Sequence, residues 1–172
     1  MKPILATFAL AALGSLPFLP TSAVAPAAVA APGPGGVIEA VKAFLAAVDK
    51  GDETALQELV APGPDDRISL YDLDLQATPA RARGRTAFLA HAAALRGKGV
   101  SVRHEIADIQ ADCPAAEVSY ATVDFDRVVS RGDDVKRVPM RATVLVRYRT
   151  KVPEGSKIHF QLFHWHASPA SR

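Results

Sequence analysis

Apolar positions recur every three or four residues between 37 and 60, and every two residues from 100 onward. Val37, Val41, Phe44, Leu45 and Val48 form one stripe of a helix. Gly51 ends it, and Asp52 caps a short second helix from about Glu53 to Val60 that turns Leu56, Leu59 and Val60 inward. Pro62, Gly63 and Pro64 stop that helix. Arg67 to Leu75 alternates, with Ile68, Leu70 and Asp72 on one side and Tyr71 and Leu73 on the other, which predicts a strand. Pro79 to Gly84 reads as a loop. Thr86 to Leu95 reads as a third helix carrying Phe88, Leu89, Ala92 and Leu95, closed by Gly97 and Gly99.

The later, two-residue period predicts four long strands. In Val100 to Gln110, the side chains of Val100, Val102, His104, Ile106 and Asp108 share a face. In Glu117 to Ser130, Val118, Tyr120, Thr122, Asp124 and Asp126 oppose Ser119, Ala121, Val123, Phe125 and Arg127. Gly132-Asp133-Asp134 suits a hairpin turn into Val135 to Thr150, where Pro139 argues for an edge position or a bulge. There Arg141, Thr143, Leu145, Arg147 and Arg149 fall on one face, opposite an apolar face of Met140, Ala142, Val144, Val146 and Tyr148. The charged face is a solvated side or a polar dimer surface. The last strand, Lys157 to Ser168, places Phe160, Leu162, His164 and His166 together, with His159, Gln161, Phe163 and Trp165 opposite. Three helices before a run of strands joined by short turns make an α+β fold, with the helices covering one face of a mainly antiparallel sheet. The second half has no crossover helices, which excludes a doubly wound parallel sheet.

Ahead of this domain, Lys2, the apolar run Ile4 to Leu19 and the small-residue site Ala28-Val29-Ala30 follow the order of a secretory leader. Residues 1–30 are therefore expected to be removed, 31–36 to be a flexible Pro/Gly lead-in, and 37–169 to form the domain. That places the protein in the periplasm or outside the cell, with no stable membrane insertion after cleavage. Without Lys2, nineteen basic residues face eighteen acidic ones. They are scattered and make no stripe for phosphates, which argues against a nucleic-acid partner. Cys113 is the only cysteine, so the fold stands on packing without an intramolecular disulfide.

Three stretches carry a resemblance. Val41 to Asp52, followed by Ala55-Leu56-Gln57-Glu58-Leu59, resembles the first helix, Gly-Asp break and second helix of the NTF2-like superfamily, in its SnoaL-like and ketosteroid-isomerase-like branches. Gly84-Arg85-Thr86-Ala87-Phe88-Leu89 is similar to the glycine-led start of that family's third helix, and Phe160 to Ser168 to its closing strand with His-x-Ser. The resemblance implies an NTF2-like cone, with N-terminal helices packed on a strongly curved sheet, often dimeric through the sheet's outer face. It does not settle function, because one scaffold serves isomerases, cyclases, dehydratases, binding domains and assembly domains.

The expectation is a domain that binds a small apolar or amphipathic molecule in the cone, without a cofactor. If chemistry follows binding, it is isomerase-, cyclase- or dehydratase-type proton transfer. His166 titrates near neutrality and is the first candidate acid or base, with Asp124, Tyr120 and Asp72 as partners. His164, Ser168, Phe160 and Leu162 are the expected pocket lining. His164 and His166 could share a metal ion with His104 or Asp124, but no compact metal motif is present, so no metal is assigned. The competing reading is a non-catalytic dimerisation or assembly domain. A deep cavity lined by His166 and a carboxylate favours the enzyme, and one plugged by Phe and Leu favours assembly.

Overall fold

A computed structural model of the protein describes residues 33–62, 68–73, 78–97, 99–115, 118–149, 152 and 159–171. All of them lie in one compact unit, Ala31–Arg172. The expected leader and its cleavage site fall outside the described residues. Among those described, no helix is long and apolar enough to cross a membrane.

The elements run α1 (Pro34–Lys50), α2 (Glu53–Leu59), β1 (Ser69–Leu73), β2 (Pro79–Arg83), α3 (Arg85–Ala94), β3 (Val100–Asp112), β4 (Ser119–Arg131), β5 (Asp134–Tyr148) and β6 (Phe160–Pro169). Helix α1 starts inside the expected lead-in, because Pro34 sits at its first turn, where a missing N–H costs nothing. Gly51 closes it at φ 66°, and the Asp52 carboxylate accepts from the Ala55 N–H to start α2. The expected loop at Pro79 to Gly84 is instead an edge strand. Pro79 to Arg83 pairs antiparallel with β1, and the pairing rescues a segment with little strand propensity of its own.

The six strands form one curved sheet in the order β2-β1-β6-β5-β4-β3, antiparallel except for the parallel β1–β6 pair. Pro139 lies on a central strand, but just past the point where β6 ends, Pro169 being paired with Met140. Helix α1 packs across β3, β4 and β6 and buries Val37, Val41, Phe44, Leu45 and Val48. Phe44, Phe88, Phe125 and Trp165, from α1, α3, β4 and β6, stack through the centre with ring centroids 5.3–6.1 Å apart. These edge-on and tilted contacts suit aromatic rings.

Two bulges decide which side chains enter that core. In β6, Leu145 pairs with His164 and Val146 with Leu162, so Phe163 is the extra residue. Phe160 and Leu162 point inward before it; after it the inward set becomes Trp165 and Ala167. In β3 the register shifts between Ile106 and Asp108, so Val100, Val102 and His104 face inward while Asp108 faces out. One extra residue turns every later side chain to the other face.

Candidate functional site

Among the described residues, a cluster of charged and polar side chains is buried against the core. Asp72 enters it from β1, on the face shared with the buried Ile68 and Leu70. Arg127 enters from β4, on the face of Ala121, Val123 and Phe125, and its side chain is 4% exposed. Arg127 Nη2 donates to both carboxylate oxygens of Asp72, at 2.9 and 2.8 Å, and Nη1 donates to the Leu73 carbonyl at 3.0 Å. Its Nε–H donates to His104 Nε2 at 3.2 Å. That nitrogen is thereby the acceptor, so the His104 proton sits on Nδ1 and is donated to Asp49 Oδ1 at 2.6 Å. The backbone N–H of His104 donates to the other Asp49 oxygen at 3.0 Å. Helix α1, β3, β4 and β1 are thus joined through one guanidinium.

His91 of α3 completes the cluster. Its Nε2 lies 3.6 Å from Asp72 Oδ2 and makes no hydrogen bond among the described residues, although the atom is buried. Burial alone would raise the Asp72 pKa. The nearby His91, the Arg127 charge and hydrogen bonds, and the Leu73 N–H outweigh it and hold the carboxyl below its ordinary value. At 3.6 Å His91 is beyond a direct hydrogen bond, so the bidentate Arg127 is the stronger partner.

The space beside the cluster is small. It is walled by Phe44, Leu45, Leu95 and Trp165 over Asp72 and His91, and its volume is about 10 Å³. That is room for about one water molecule, far short of the several hundred Å³ typical of small-molecule pockets. A larger open depression, about 620 Å³, lies on the surface between the α1–α2 turn, the end of α3, the start of β3 and the β4–β5 turn. It does not touch the cluster. No group of three metal-ligating side chains occurs among the described residues.

Of the candidate catalytic residues, only Asp72 lies in the interior. His164, His166 and Ser168 follow the Phe163 bulge and face outward on the sheet. Phe160 and Leu162 are buried core filler and do not share their face. Ser69 Oγ lies 2.7 Å from His164 Nδ1, and Tyr71 packs near both histidine rings. Burial, and secondarily the neighbouring His166, lowers the His164 pKa and favours its neutral form. Tyr120 is 40% exposed on the same outer face, and Asp124 is held there by a bidentate Arg141. The set His166, Asp124, Tyr120 and Asp72 is therefore divided between the two faces of the sheet. The possible metal set is divided too, since His104 is interior. Arg127 and Asp49 were not among the candidates. The available signal was an arginine on an otherwise apolar strand face.

No family model matches the chain, and no curated protein matches it. Solved structures do. An NTF2-like family protein from Streptomyces avermitilis, named as a candidate dehydratase, is 19% identical and aligns over 80% of this chain and 96% of its own, with a TM-score of 0.64. An NTF2-like superfamily protein from Salmonella enterica is 15% identical over 80% of this chain and 91% of its own, with a TM-score of 0.61. The CaMKII hub from S. rosetta is 19% identical over 83% of this chain and 100% of its own, with a TM-score of 0.57. The chain has the NTF2-like fold.

Two outcomes follow from the cluster. Arg127→Met leaves Asp72 buried and unpaired and is expected to lower unfolding free energy by ~3–5 kcal/mol, while Arg127→Met/Asp72→Leu recovers most of that loss in urea titrations. Because the folded-state pKa of Asp72 is lowered, its stabilisation is fully present above the ordinary carboxyl value and is lost as pH falls through the folded value. The stability difference between the wild type and Asp72→Asn is therefore expected to be constant at neutral pH and to shrink only below about pH 4.

Proposed function

We propose that this domain is an exported, non-enzymatic assembly module that associates with itself through the outer face of its sheet. The observation that carries the reading is the packed interior of the described residues, where four aromatic rings and the Arg127 network leave a space of about 10 Å³ beside Asp72. The outer face supplies what association needs. Tyr71, Tyr120, Leu145, Thr143 and His164 form its centre and are all at least partly exposed. Salt-bridged pairs such as Asp124–Arg141 flank them. A hub among the structural neighbours is in keeping with such a role. The leader pattern of residues 1–30 supports export.

Sedimentation velocity tests the reading directly. The chain is expected to be dimeric at micromolar concentration, and Leu145→Glu is expected to raise the dimer Kd at least ~10-fold by placing an unpaired charge in the contact. A chain that stays monomeric across the accessible concentration range overturns it.

A second reading, a binding site for a small polar molecule in the cone, is favoured by His91 Nε2, a buried nitrogen without a hydrogen bond beside an ionised carboxylate. The two readings differ for His91→Leu. In a purely structural interior, removing an unsatisfied polar atom raises stability by ~1–2 kcal/mol. A loss of stability in thermal unfolding instead means that the nitrogen has a partner in solution, and favours the second reading.

A further inference from the structure

The strand registers lay out the outer face as rows that cross the sheet. One row reads Arg83, Ser69, His164, Leu145, Tyr120, Asp112 from β2 to β3. The next reads Arg81, Tyr71, His166, Thr143, Thr122, Gln110. Asp108 opens the row after that, opposite the bidentate Asp124–Arg141 pair.

Charge on this face is not evenly spread. Acids and arginines neutralise one another in two places: Asp124 with Arg141 on β4 and β5, and Glu105 and Asp126 with Arg137 and Arg103, of which Arg103 and Glu105 lie on β3 itself. Arg147 is held by the Pro62 carbonyl. The β2 edge carries Arg81 and Arg83, both exposed and with no ion pair among the described residues. Arg81 stacks over Tyr71, 5.6 Å from its centroid. The β3 edge carries Asp108 and Asp112, whose contacts are Gln110, the Cys113 N–H and the Tyr120 hydroxyl. Neither has a cation against it among the described residues. The two edges are five strand spacings apart, ~24 Å. That is about three Debye lengths at physiological ionic strength, so neither edge neutralises the other within one chain.

The face is also pseudo-symmetric. A tyrosine stands one strand in from each edge, Tyr71 on β1 and Tyr120 on β4, each against an edge charge, and the charges have opposite signs. A two-fold axis lying in the contact along the strands carries β2 of one copy over β3 of the other, and β1 over β4. A two-fold axis across the strands lays like edges together and is repulsive.

We propose that a second copy of this chain docks on this face about the first axis, so that Arg81 and Arg83 of each copy meet Asp108 and Asp112 of the other. This rests on the self-association reading and adds its orientation and its selectivity. Charge pairs at a rim steer and orient a contact more than they strengthen it, which is the role required here.

The test uses two charge-reversed chains, Arg81→Glu/Arg83→Glu and Asp108→Arg/Asp112→Arg, each checked for wild-type circular dichroism, and sedimentation velocity of each alone and of their 1:1 mixture. Each alone brings like charges together at both edges and is expected to raise the dimer Kd ~10-fold or more. Mixed, they present opposite charges at both edges and are expected to form a heterodimer at least as tight as the wild type. Dimers indifferent to reversal, or a mixture as weak as its components, overturn the edge pairing while a wild-type dimer sensitive to Leu145→Glu still stands. A wild type that never dimerises overturns both.

Discussion

The fold depends on one buried guanidinium finding all its partners. Arg127 reaches Asp72 and the Leu73 carbonyl on β1 and His104 on β3, and His104 passes the connection to Asp49 on α1. Desolvating an arginine and a carboxylate is expensive, and their attraction offsets that cost only when the remaining donors and acceptors are also satisfied. Here four Arg127 donor contacts are made, two of them from Nη2 to the two oxygens of one carboxylate. The network ties together elements that are distant in sequence, and it holds Asp72 ionised in an otherwise apolar core.

The same network limits what the interior can do. Arg127 and His104 have their nitrogens committed, and Asp72 accepts from Arg127 and the Leu73 N–H. Among the described residues of this cluster, His91 keeps a nitrogen in reserve. The aromatic rings of Phe44, Phe88, Phe125 and Trp165 pack against one another beside the network. A polar interior that is saturated and packed acts first as a tie, because new contacts to a ligand require existing hydrogen bonds to break.

Much of the architecture was legible in the sequence, because hydrophobic period reports burial directly. The helices at Val37 and Thr86, the switch to period two at Val100 and the inward faces of β4 and β5 follow from it. So does the inward position of Asp72 beside Ile68 and Leu70. The edge strand β2 was not legible, since Pro79-Ala80-Arg81-Ala82-Arg83 has no apolar face to mark and exists through pairing with β1. Nor was the meeting of Asp72 and Arg127, because each shows only as a charge on an apolar face and nothing local says they converge 55 positions apart. The histidine assignment failed for a different reason. A strict two-residue alternation runs from Phe160 to His166 in the sequence, and no residue type there announces that Phe163 is extra.

That bulge links the two sides of the sheet. Leu162 before it and Trp165 after it both face the core, which strict alternation would forbid. Without the extra residue, a strand that keeps Phe160 and Leu162 inside would also turn His164 and His166 inside and expel Trp165, the residue that contacts both Phe44 and Phe125. The interior would then lose its largest side chain and gain two imidazoles. With the bulge in place, the aromatic ring seals the interior and the histidines join Tyr71 at the centre of the outer face. A filled cone and a mixed aromatic and polar outer face are therefore two results of one register shift. This is why the residues that most resembled a pocket in the sequence belong to a surface in the structure.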